Sequence, residues 1–148
     1  MLSCMTFQDL PKNWHARPLT DPDLAPDVVD LVVREGDRAV GCLSLLLCDD
    51  DHRMVQPVTI TDLDRGHPEH RRHLFDLVVG ELAEHLGGVV VAIGRPRGAV
   101  PDDEARAWHE AAIAACRAHD VPLLGTYLAT THGVVEMPRW DGLEALAG

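Results

Sequence analysis

Lysine is all but missing from this chain: Lys12 is the only one in 148 residues. Lys and Arg together number 13 against 24 Asp and Glu, a formal net charge of −11 with histidine neutral. So acidic a chain repels nucleic-acid phosphates, and Arg71, Arg72 and Arg106 lie dispersed among acids. Aromatics are scarce as well, at 4%, which leaves little for bases to stack on. No apolar run approaches the roughly 20 residues that span a bilayer. The opening string MLSCMTFQDLPKNW lacks the basic and apolar blocks of a secretion signal. Neither nucleic acid nor membrane is expected as a partner, and a soluble cytoplasmic protein is the expectation. The four cysteines, at 4, 42, 48 and 116, form no CxxC pair. They do not suggest a disulfide framework. Cys42 and Cys48 sit in an apolar stretch and read as small buried hydrophobes.

What is present is enough apolar residue, 46%, for a core in a chain of one-domain length. Residues 1–26 hold Pro11, Pro18, Pro22 and Pro26, which bar continuous helix or central strand. They read as an arm, either anchored over the domain by Trp14 and Leu19 or disordered. Residues 27–138 form a single domain and 139–148 a tail. Asp27 to Val33 is a short helix that Gly36 ends. Ala39 to Cys48 (AVGCLSLLLC) is a buried strand, followed by a polar DDDHR tip and a second strand over Met54 to Thr61. Pro57 places that second strand at an edge or a bulge.

His67 to Leu86 carries apolar residues at intervals of three and four (Leu74, Val78, Leu82) and reads as a helix. Gly87-Gly88 supplies its left-handed stop. GVVVAIG, residues 88–94, is a β-branched run of the kind found in a central strand covered on both faces. A helix from Asp102 to His119 has Asp102, Asp103 and Glu104 at its start and Arg117 at its end, as the helix dipole favours. Val121 to Thr130 and Val134 to Met137 are strands around a Thr131-His132-Gly133 turn. The order (α)-β-β-α-β-α-β-β implies an α/β class, three-layer domain with a mixed sheet.

That order and several strings resemble the RadC-like branch of the JAB/MPN (JAMM) domain family. The strings are LSLLLCDD (43–50), HPEHRRHLF (67–75), VVVAIGRPRG (89–98), PDDEARAW (101–108) and HDVPLLGTYLAT (119–130). The resemblance covers residues 39–138 and implies a JAB/MPN-like fold. Enzymes of that family hold zinc with a His-x-His pair and an Asp in the next helix, beside a carboxylate base. Here the histidine positions are Ile93 and Arg95, the Asp position falls near Ala105 or Arg106, and the early carboxylate near Gly41. Isoleucine and alanine cannot ligate zinc, and arginine brings a fixed positive charge. The resemblance therefore implies a pseudoenzyme without metal or other cofactor: a protein-interaction or regulatory module whose partner is another protein or a second copy of itself.

Arg95 and Arg97 flank Pro96 at the carboxyl end of the central strand, the usual ligand crevice of open α/β sheets. Two guanidinium groups there suit a carboxylate or phosphate. Asp102, Asp103 and Glu104 can instead pair with them. His109 beside such a crevice suits proton transfer, although a surface histidine is the plainer reading. Together Arg95, Arg97, Asp102, Asp103 and His109 define an alternative, an anion-binding protein or small-molecule enzyme. A remote alternative is a zinc hydrolase drawing on His67 or His70. The His67-x-x-His70-x-x-His73 series points in separate directions along a helix and reads as a solvated face. The Asp49-Asp50-Asp51-His52 loop lacks the glycine and glutamate of a calcium loop and reads as a solvated hairpin tip.

Overall fold

The computed structural model describes residues 14–61, 69–98, 100 and 102–137. The segments 1–13 and 138–148 lie outside the described residues, as do His67, Pro68 and the side chain of His70. Four helices and five strands are present among the described residues: α1 (Ala25–Val32), α2 (Glu35–Val40), β1 (Cys42–Cys48), β2 (Met54–Ile60), α3 (Glu69–Leu82), β3 (Gly88–Gly94), α4 (Asp103–Ala118), β4 (Leu123–Thr130) and β5 (Gly133–Glu136). The strands form one mixed sheet in the order β2-β1-β3-β4-β5. Only β3 and β4 run parallel; the β1–β2, β1–β3 and β4–β5 pairs are antiparallel.

Two apolar layers sandwich the sheet. One joins Leu43, Leu45, Val89, Val91 and Leu128 to Phe75 and Val79 of α3 and Trp108 and Ala112 of α4. The other joins Leu46, Val90, Ala92 and Tyr127 to Val28 and Val29 of α1 and to Trp14, Leu19 and Leu24. The alternation of β3 side chains between the two layers follows from the two-residue period of a strand. Every residue of β3 is buried, as a β-branched strand between two neighbours and two helical layers should be. Residues 14–24 cross the second layer, and the Leu19 N–H donates to the His52 carbonyl at 2.7 Å.

The start of the domain differs from the expectation. Helix α1 begins at Ala25, inside the segment read as an arm, with a proline in its first turn. Gly36 ends nothing; it lies within α2, a helix absent from the sequence reading. The first strand accordingly starts at Cys42 rather than Ala39. The break is Gly41, whose φ of +89° is a conformation that L side chains rarely adopt. Strand β2 is an edge strand, and its pairing with β1 slips between Leu47 and Cys48.

The end of α3 differs as well. The helix stops at Leu82 and continues as a 3₁₀ turn over Ala83–His85. Gly87 and Gly88 are not among the glycines of positive φ, so no left-handed stop forms there. Gly87 serves close approach instead: a Cβ there would lie 2.2 Å from the Asp49 carbonyl oxygen. Its N–H donates to the Cys48 carbonyl at 3.0 Å. Helix α4 agrees closely with the sequence, from the Asp102 cap to its basic end at Arg117. No helix among the described residues is long and apolar enough to cross a membrane.

Candidate functional site

The carboxyl ends of the parallel pair β3–β4 carry the residues singled out from the sequence. Chain pairing extends one residue past β3, since the Arg95 N–H donates to the Ala129 carbonyl at 3.0 Å. The Arg95 side chain then turns back beneath its own loop. Its Nε donates to the Gly98 carbonyl at 3.0 Å, and Nη1 donates to both carboxylate oxygens of Asp102 at 2.9 and 3.1 Å. Nη2 donates to the Gly98 and Val100 carbonyls. A buried guanidinium needs such partners, and this one has its donor edges committed within eight residues of chain. The side chain of Arg95 is 11% exposed and that of Asp102 56%. The pair is thus anchored on its arginine side and open to solvent on its carboxylate side.

Asp102 has a second task. Its Oδ1 accepts the Ala105 N–H at 2.9 Å and caps α4. Those contacts hold its carboxyl below the ordinary aspartate value, the Ala105 N–H first and Arg95 next. Asp103 follows, exposed, in the first turn of the helix, and Arg97 is exposed on the loop. Of the five candidate residues, the structure joins Arg95 to Asp102 and leaves Arg97 and Asp103 facing solvent.

His109 departs from the surface position expected of it: it is 4% exposed. The reason is helical spacing. Residue 109 falls four after Ala105 and three before Ala112, both fully buried, so it shares the face that packs on the sheet. Neighbouring Trp108 meets Phe75 of α3 edge-on, with ring centroids 6.0 Å apart. Such an aromatic pair fixes how the two helices sit together.

Arg38 is a residue that sequence reading missed. Within the charged string REGDR it looks like an ordinary surface cation, yet only 4% of it is exposed. Its Nε donates to the Val33 carbonyl at 2.8 Å and Nη1 to the Thr130 carbonyl at 2.9 Å. Nη2 donates to the carbonyl and the carboxylate of Asp30 at 3.0 and 2.9 Å. Arg38 thereby ties α1 and the α1–α2 junction to the carboxyl end of β4. Thr131 adds a link across the end of the sheet, its hydroxyl donating to the Pro96 carbonyl at 2.8 Å.

The positions that the family resemblance would give to zinc are filled with other chemistry. Ile93 is 4% exposed and Ala105 is fully buried, both within the α3–α4 layer, and Arg106, the other place for the aspartate, is exposed. Arg95 is bound to Asp102, and Gly41 occupies a backbone conformation that disfavours any side chain. Elsewhere, His73 is exposed on α3, and His67 and the His70 side chain lie outside the described residues. In the hairpin tip, Asp49 Oδ1 accepts the Asp51 and Arg53 N–H groups, both at 2.9 Å, so that aspartate shapes the turn. Among the described residues, no three His, Cys, Asp or Glu side chains come together as metal ligands would.

Other reactive groups are held quiet. Burial pushes the thiols of Cys48 and Cys116 up to about 12 and raises that of Cys42. A thiol so placed is not a nucleophile near neutral pH. His119 at the end of α4 meets Asp76 of α3, Nε2 to Oδ1 at 3.2 Å, and Arg72 donates to the same oxygen at 3.0 Å. That cluster joins two helices on the surface. No protein-family model matches this chain, and no curated protein matches it.

Proposed function

We propose that this chain is a non-catalytic domain of the RadC-like JAB/MPN type, acting without metal as a protein-interaction or regulatory module. One observation carries the reading. The positions that the resemblance assigns to zinc ligands hold Ile93, Ala105 or Arg106, and an arginine, Arg95, bonded to its own loop. Hydrocarbon and a satisfied guanidinium cannot ligate a cation or activate water. From β1 onward the elements run β-β-α-β-α-β-β, the order read from the sequence.

The same end of the molecule offers something to a partner. Val40, just before the turn into β1, is 69% exposed, and Val100, whose carbonyl Arg95 holds, is 77% exposed. An apolar side chain carried on backbone that is already held, at a helix end or on a bonded loop, loses little entropy on binding. The anion-binding alternative asks Arg95 to release Asp102 and two carbonyls, which costs it several charge-assisted bonds; only Arg97 of that pair stands exposed.

Two measurements test the proposal. Purified protein is incubated with zinc, passed through gel filtration and analysed for metal, and its mass is followed by light scattering across a concentration series. The expected results are well under one zinc per chain, and concentration-dependent association that a Val40→Asp/Val100→Asp double variant weakens. One tightly held zinc per chain would overturn the reading.

A further inference from the structure

We draw no further inference here: the strongest candidate, the open cavity of about 310 Å³ between the end of α4 and the start of β4, lined by Ile113, Cys116, Val121 and Leu123 among others, carries nothing because nothing in the structure shows what fills it.

Discussion

Replacing Arg38 with methionine keeps most of the side-chain volume and removes every hydrogen bond. Two of its acceptors, the carbonyls of Val33 and Thr130, are bonded in buried surroundings; the Asp30 carbonyl and carboxylate are part-buried. A buried acceptor stripped of its partner costs about 1–3 kcal/mol. The two buried carbonyls alone therefore imply about 2–6 kcal/mol. The Asp30 side chain is 28% exposed, so water replaces much of that ion pair and it adds little. A destabilisation of about 3–4 kcal/mol is expected. Urea denaturation followed by far-UV circular dichroism would show a lower midpoint with an unchanged slope, since the surface exposed on unfolding stays the same. In a domain of this size the melting temperature should fall by roughly 10 °C. A variant within 1 kcal/mol of the parent would refute the reasoning, because water or a rearranged loop would then satisfy those carbonyls as well as arginine does.

Gly87→Ala should destabilise by about 2–3 kcal/mol, an overpacking cost with backbone as the obstacle, whereas Gly36→Ala, with nothing within 4 Å, should be neutral or slightly stabilising in the same denaturation assay. Asp102→Asn should cost about 0.5 kcal/mol at pH 7 through the lost ion pair, because asparagine still caps the helix and the carboxylate is 56% exposed. The folded-state Asp102 lies below its unfolded value, so its contribution is present above the unfolded pKa near 3.9 and is lost as pH falls through the lower folded value. The gap between parent and variant should therefore close below pH 4 in pH-resolved melts, and a gap that widens there would contradict the assignment. In a Cys4→Ser background, Cys42, Cys48 and Cys116 should resist iodoacetamide at pH 8 while the chain is folded and react in denaturant, as read by intact mass. Rapid native labelling of Cys48 or Cys116 would show that the strand and helix open locally.

The elements legible in the sequence were those whose signals are local. The GVVVAIG run identifies β3 to the residue because a β-branched strand covered on both faces needs no alternation. The acidic start, basic end and alanine face of α4 are equally local, and its bounds moved by a single residue at each end. Helix α2 was illegible because six residues, EGDRAV, are too short to show a period and include a helix-disfavouring glycine. What stabilises it is tertiary: Arg38 bonds a carbonyl 92 residues away. His109 is a related case: its type suggests a surface, its spacing from Ala105 and Ala112 suggests the core, and spacing prevails. The sequence brought Arg95 and Asp102 together as one of two options, an internal pair or an anion site. Residue types alone do not choose between those options; the distances show the internal pair between Arg95 and Asp102.

Strands β3 and β4 finish side by side, where open α/β sheets leave room for ligands. Buried carbonyls need donors. Arg38 supplies one from the α1 side, to Thr130, while Arg95 holds the carbonyls of the loop leaving β3, toward α4. On the proposed reading, with the Arg95 side chain spent on its own loop, a partner would meet the outer surfaces. Backbone pairing at the sheet edges is a poor route: Pro57 at the centre of β2 has no N–H to give, and β5 is only four residues long. On that reading the side chains of Arg97 and Val100 are the better placed, because Arg95 bonds the Gly98 and Val100 carbonyls beside them.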